Sequence, residues 1–297
     1  MFASRTSWHL ERNRFATALE EHRRRGKPLF YPLFEYLAGL ADIRPAPYPL
    51  LYDQGWQVDF AGLSAALSAR SKAVVVVHPN NPTGSFIKGE EAQRLAESCA
   101  RRDLAIIADE VFLDYADEAE PPCSFAFDSP ALTFTLSGLS KISLLPQMKL
   151  AWIVASGPSA QVDTAMQRLE VIGDTYLSPS TPGQLALAEM LAMRGNLQTQ
   201  MRQRLCANLA CLDTLLRKGG SVDRLKRDGG WYAVLRVPAT GSDEDLAIKL
   251  LQSSGVLVHP GHFFDFPHDG FLIASLIAPE AEFQEGARRL QHLFRGT

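Results

Sequence analysis

The spacing of apolar positions changes twice along this chain. Residues 7–26 place Leu10, Phe15 and Leu19 on one side of a helical repeat that runs into a basic tail, EHRRRGK, closed by Gly26 and Pro28. The arginines of that tail suit a helix C-terminus, where the backbone dipole favours cations. From about residue 43 the pattern becomes short apolar runs separated by helix-like segments. AVVVVHP (73–79) is β-branched on both faces, which predicts a strand buried on both sides. GEEAQRLAESCARR (89–102) has an amphipathic helical repeat. LAIIADEVF (104–112), ALTFTLSG (131–138) and KLAWIVASG (149–157) predict three further strands. Strand, helix, strand at this spacing predicts a mostly parallel sheet with helices on both faces, a three-layer α/β architecture.

Residues 159–218 read as helical, with a break at SPSTPG (178–183). The pattern then turns α+β. GGWYAVLRVP (229–238), GVLVHPG (255–261) and GFLIASLIAP (270–279) predict strands. SDEDLAIKLLQSSG (242–255) predicts a helix opened by a capping Ser-Asp, and PEAEFQEGARRLQHLF (279–294) a last helix. The organisation expected is a helical arm over 1–29, a large α/β domain over 30–177, and linking helices with a smaller α+β domain over 178–297.

Composition narrows the chemistry. The chain has 297 residues, 46% of them apolar, and a formal net charge of −3. That is enough to fill a core, and it gives no reason to expect a nucleic-acid or anionic-membrane partner. No apolar run is long enough to span a bilayer. MFASRTSWHLERNRF lacks the apolar stretch of a secretory signal, so a cytoplasmic protein is expected. Cys99, Cys123, Cys206 and Cys211 have no metal-ligand spacing and read as reduced, mostly buried thiols. His259, His262 and His268 fit neither a helical nor a finger-type site, and their Pro/Gly-rich segment reads as an aromatic loop; no metal is expected.

The strand ends carry the candidate chemistry. HPNNPTG (78–84), ADEVF (108–112) and SGLSK (137–141) each close an apolar run. A lysine after such a run is by itself a surface charge. In an open α/β sheet, however, ligands sit beyond the carboxyl ends of the strands, where Asn81, Asp109 and Lys141 would converge. An amide, a carboxylate and an amine are the groups a pyridoxal 5'-phosphate site requires. The amine bonds the cofactor covalently, the carboxylate holds its ring nitrogen protonated, and the amide donates to its ring oxygen.

NNPTG, then DEV, then SxxxK with a basic residue eight positions on, resembles the class I/II aminotransferases, pyridoxal-phosphate enzymes of fold type I. The resemblance runs from about Phe30 to the last helix and includes SPSTPGQLAL, GGWYAVL and GVLVHPGHFF. It implies transfer of an amino group between an amino acid and a 2-oxo acid, usually by a homodimer. It also implies that Lys141 is the covalent cofactor lysine, Asp109 the ring-nitrogen partner, Asn81 the ring-oxygen donor, Tyr31 the aromatic stacked on the ring, and Lys149 the phosphate cation.

Four departures stand against the pattern. Lys149 replaces an arginine and so lacks its bidentate fork. Phe112 replaces a tyrosine that donates to the ring oxygen. Ile273 stands where the family has the arginine that clamps the substrate carboxylate. At Leu29–Phe30 two segments adjoin that the family separates by several dozen residues, among them the loop that cradles the phosphate. Two other readings follow from these departures: a non-catalytic or truncated remnant, and a lyase or decarboxylase on the same fold.

Overall fold

The computed structural model of the chain describes residues 37–117, 123–126, 129–175, 178–217 and 219–294. The helix predicted over 7–26, Tyr31 and the Leu29–Phe30 junction lie outside these residues. The chain divides into two compact units. One comprises residues 47–203 with 226–231. The described part of the other is residues 37–46, 204–225 and 232–294.

The first unit begins with an antiparallel hairpin, β1 (Leu50–Tyr52) and β2 (Trp56–Val58), followed by helix α1 (Phe60–Ala66). Asp59 caps α1, its carboxylate accepting from the N–H groups of Ala61 and Gly62. Four strands then form one sheet in chain order: β3 (Ala73–Val77), β4 (Ala105–Asp109), β5 (Thr133–Gly138) and β6 (Ala151–Ser156). The pairs β3–β4 and β4–β5 are parallel, and β5–β6 is antiparallel. The crossover from β3 to β4 is α2 (Gly89–Arg101), whose Glu91 accepts from the N–H of Val58 at 2.9 Å and from that of Lys88 at 3.1 Å, tying hairpin to helix.

One sheet face is the core. Val74, Val76, Ile106 and Ala108 pack there against Leu63 of α1 and Leu95, Ala96 and Cys99 of α2. On the opposite face Val75 remains 39% exposed, and β6 leaves Ile153 50% exposed. Helices α3 (Leu139–Ile142), α4 (Ser159–Thr175), α5 (Thr181–Leu185) and α6 (Leu187–Ala192) follow, together with α7 (Arg194–Leu216), of which residues through Gln203 belong to this unit.

The second unit is a four-stranded antiparallel sheet in the order β7 (Asp223–Arg224), β8 (Tyr232–Arg236), β10 (Phe271–Ser275) and β9 (His259–Pro260). Helices α8 (Asp243–Ser254) and α9 (Glu280–Phe294) complete it. Ser242 caps α8 as the Ser-Asp pattern predicts, accepting from Asp245 N at 3.1 Å, and Gly255 ends it in the left-handed region at φ 64°. GVLVHPG pairs over only two residues, His259 and Pro260, because a proline in the segment cannot donate to a ladder. Asn208 of α7 is buried and bonds the carbonyls of Leu276 and Ala278, both at 2.8 Å.

The cysteines depart from expectation. Cys99 is buried, but Cys123 and Cys206 are exposed; an apolar residue type does not place a side chain when its position faces outward. Among the described residues, no helix is long and apolar enough to cross a membrane, and no cluster of three metal-ligating side chains occurs.

The outer edge of β6 makes no backbone ladder with any described strand. It carries no charge, and Ile153 and Val154 are 50% and 41% exposed. Such an edge is a template for adding strands from other chains. Ile153→Lys should therefore lower the aggregated fraction of concentrated protein without altering its far-ultraviolet circular dichroism. Equal aggregation of the variant and the parent by light scattering would locate the liability elsewhere.

Candidate active site

The register of the three parallel strands sets the site. Val77 pairs with Asp109, and Asp109 with Leu136, so the carboxyl ends of β3, β4 and β5 are level. The ladders continue one step beyond them, with His78 N bonded to Asp109 O at 2.8 Å and Glu110 N to Leu136 O at 3.0 Å. Each functional loop therefore leaves the sheet from a fixed point.

The loop after β3 is a closed turn. Asn80 N donates to Ser85 O and Gly84 N to Asn80 O, both at 2.8 Å, while Thr83 Oγ1 donates to Asn80 Oδ1 at 3.0 Å. Asn81 sits within it, its Oδ1 buried and without a partner among the described residues. His78 is fully buried. Its Nδ1 accepts from Ile87 N at 3.2 Å, and the rings of Phe86 and Phe125 meet it edge-on.

After β4, Asp109 accepts from Val111 N at 3.2 Å. Burial raises its pKa, against the pull of the Val111 N–H and of the Lys141 charge. Glu110 is buried and held by Ser124 Oγ and Phe125 N, both at 2.6 Å. Burial raises its pKa as well, against those two hydrogen bonds. Lys141 lies in α3. Its amine is 4.7 Å from the centre of the Trp231 ring and 5.2 Å from that of Phe112. Burial lowers its pKa while the Asp109 charge raises it. The two charges thus act on each other across adjacent strand ends.

The turn carrying Lys141 is fastened from two sides. Tyr115 O–H donates to Lys141 O at 2.8 Å. Gln198 Nε2 donates to Ile142 O at 2.8 Å and to Asp114 at 2.6 Å, and Arg202 holds the Gln198 carbonyl at 2.8 Å.

Residues 226–231 lock the loops together. Arg227 bonds Asp117 at 2.9 Å, Gly229 O at 3.0 Å and Gly230 O at 2.8 Å. Asp228 N donates to Gly84 O at 3.0 Å and Gly230 N to Tyr115 O at 2.8 Å. Gly84, at φ +68°, approaches so closely that a Cβ there would lie 2.2 Å from Gly229 O. These contacts seat Trp231, which is 6% exposed and meets Phe112 and Tyr115 edge-on at 5.0 and 5.2 Å.

The structure thus gathers Asp109 and Lys141 and sets Asn81 in the neighbouring loop. Lys149 is different. It is exposed, in a left-handed conformation, and bonds none of the described residues. Tyr31 lies outside them. Phe112 is buried against Trp231, and Ile273 is fully buried in the core of the second unit. Sequence reading missed Tyr115, Gln198, Arg227 and Trp231. Arg227, just ahead of two glycines, was the visible signal, since a cation beside a turn can bond the turn's carbonyls.

An open α/β sheet with an amine and a carboxylate at neighbouring strand ends is the arrangement of a small-molecule site beyond the carboxyl ends of the strands. The sequence profile of the aminotransferase class I and II family matches residues 26–290, and the chain belongs to that family. The alanine aminotransferase of Mycobacterium tuberculosis (strain ATCC 25618 / H37Rv) is 28% identical over 244 residues, covering 80% of this chain and 57% of that protein. The probable aspartate/prephenate aminotransferase of Aquifex aeolicus is 28% identical over 256 residues, 83% of this chain and 63% of that one. The chain therefore spans less than two thirds of the length of these curated relatives. An aminotransferase from Escherichia coli superposes with a TM-score of 0.80 at 22% identity, over 90% of this chain and 68% of that one. The N-succinyldiaminopimelate aminotransferase of M. tuberculosis does so with a TM-score of 0.73 at 25% identity, over 89% and 69%. The fold is thus that of fold type I, an α/β protein with a mostly parallel sheet and a smaller α+β part.

His78 carries a pH prediction. Burial lowers its pKa from 6.5 to about 4, the Cys123 backbone opposing. A base whose folded value lies below its unfolded one leaves stability intact above pH 6.5. Stability is lost as pH falls from there towards 4, up to about 3 kcal/mol in all, and the loss then levels off. The melting temperature of the chain should fall more steeply across that window than that of His78→Gln; parallel curves would contradict it.

Proposed function

We propose that the chain is a pyridoxal-phosphate-dependent aminotransferase that moves an amino group between an amino acid and a 2-oxo acid. The observation that carries this reading is the Asp109–Lys141 pair, each group partly desolvated at the end of its strand and each acting on the other's ionisation. The relatives' names as aminotransferases support it. The cofactor, when bound, supplies an electron sink for the carbanion at the substrate Cα.

The chain's own groups have distinct tasks in this reading. Lys141 Nζ would hold the cofactor covalently and would move a proton at the substrate Cα. The Asp109 carboxylate keeps the cofactor's ring nitrogen protonated. Asn81 would orient the ring through its N–H₂. Lys149 supplies a point charge for the phosphate and Tyr31 a stacking face. We place the protein in the cytoplasm as a homodimer. A large domain over 30–177 would carry the cofactor, with an arm over 1–29 before it and residues 178–297 closing the chain. A second reading, a cofactor-binding remnant with little turnover, is favoured by the exposure of Lys149 and the buried Ile273.

Two measurements test the proposal. Borohydride treatment of protein loaded with pyridoxal phosphate, followed by peptide mapping, should place the label on Lys141, and Lys141→Ala should lose the visible absorbance band. A label on Lys149 or Lys72 would remove Lys141 from its role. Asp109→Ala should abolish turnover on a panel of amino acids and weaken cofactor retention by about 1.5–3 kcal/mol. Retention of cofactor by the parent without turnover on any member of the panel would select the remnant reading.

A further inference from the structure

Lys141 lies over two aromatic rings, in contact with each other, that the strand-end reading does not use. Its amine is 4.7 Å from the Trp231 centroid and 5.2 Å from that of Phe112, and the two rings meet edge-on at 5.0 Å, 68° apart. Both are buried, Trp231 at 6% and Phe112 at 6% exposure. A protonated amine within about 6 Å of an aromatic centroid is attracted by the ring's quadrupole, most strongly by tryptophan and more so when desolvated. We infer that Trp231, with Phe112, is a seat for the Lys141 ammonium that sets the basicity and resting direction of that amine. The inference rests on the assignment of Lys141 as the reactive lysine.

The seat is built rather than incidental. The turn that carries Trp231 is held by Arg227 through the Gly229 and Gly230 carbonyls and by Gly230 N on Tyr115 O, and the ring itself is buried. Tyr115 in turn packs on Trp231 and bonds the Lys141 carbonyl, so ring and lysine backbone share one support. Other charged groups among the described residues also bear on the amine or turn away from it. Asp109 favours the charged form, and burial disfavours it. Glu110 turns its carboxylate to Ser124 and Phe125, and Asp114 accepts from Gln198. The rings therefore act in the same sense as Asp109, favouring the charged form that burial disfavours. They do so without a second carboxylate and without a hydrogen bond that a ligand would have to break.

The basicity of Lys141 can be measured with no cofactor present. Competitive acetylation with acetic anhydride over a pH series, read by peptide mapping, gives the apparent pKa of each lysine, with exposed Lys72 and Lys149 as references. In Trp231→Leu the Lys141 value should fall by about 0.5 to 1.5 pH units, and Trp231→Phe should recover part of that fall. The chain has 4 tryptophans, so incorporating progressively fluorinated tryptophan weakens the ring quadrupole without altering its shape and covers the case in which Leu disturbs folding. The Lys141 value should then decrease stepwise with fluorine number while Lys72 and Lys149 stay fixed. An unchanged or raised Lys141 value in the fluorinated series would overturn the seat. Failure of the borohydride mapping to label Lys141 would instead overturn the cofactor assignment and leave the seat's own result standing.

Discussion

The parallel register of β3, β4 and β5 is the constraint on which the rest depends. Side chains in a strand alternate between faces, so slipping any one of these strands by a residue would turn its whole apolar set outward and carry Asp109 to the other face. The slip is opposed by Val74, Val76, Ile106 and Ala108, which are at most 3% exposed against α1 and α2. Stability and placement of the chemistry are therefore one quantity here. The burial that pins the register also levels Val77, Asp109 and Leu136, and each loop inherits its position from that line.

The loops need a second constraint, because a strand end fixes where a loop starts and not where it goes. Residues 226–231 supply it through backbone hydrogen bonds to both the NPTG loop and the loop after β4. Arg227 is the centre of this junction, with a side chain 2% exposed that pairs with Asp117 and with two carbonyls of its own turn. Burying a guanidinium is costly, and a buried ion pair adds little net stability against an apolar substitute. What it gives is a single arrangement, since removing either partner would strand the other's charge. Gly84 and Gly229 are the steric side of the same device. Their backbones touch where a methyl group would collide.

Much of this was legible in the sequence because it is periodic or local. The β-branched runs gave β3 to β6, and the apolar repeats gave α2, α8 and α9. Of the motif residues, Asp109 closes β4, while Asn81 and Lys141 follow β3 and β5 by a few positions, so strand lengths read from composition put all three near the same sheet edge. The hairpin β1–β2 and helix α1 had weaker signals, being three-residue strands and a seven-residue helix of small residues. GGWYAVLRVP shows the limit most clearly. Its apolar content marks a strand, and Tyr232–Arg236 forms one, but Trp231 leaves the ladder and packs with Phe112 and Lys141. That assignment depends on hydrogen bonds between residues more than a hundred positions apart, such as Arg227 to Asp117, and no local pattern encodes such a partner.

Under the proposed function, the same geometry bears on how the site would hold an anionic ligand. An exposed lysine paired with an anion contributes about 0–1 kcal/mol, so Lys149 alone anchors a phosphate weakly. A charge-assisted hydrogen bond to a partly buried carboxylate contributes about 1.5–3 kcal/mol, which puts more of the holding on Asp109. In the proposed function the remainder would fall to a covalent bond at Lys141, which only the neutral amine can form. Burial drives the amine towards the neutral, nucleophilic form, while Asp109 and the two rings draw it back towards the ammonium. A stronger pull towards the ammonium would have a cost under the proposed function. A fully seated ammonium could not act as a nucleophile, whereas the neutral amine could both bond a carbonyl carbon and take up a proton before returning it. Burial therefore works for the proposed role of Lys141, and Asp109 and the two aromatic faces work against it. With a weak phosphate anchor, the share of neutral amine would decide whether the ligand stays.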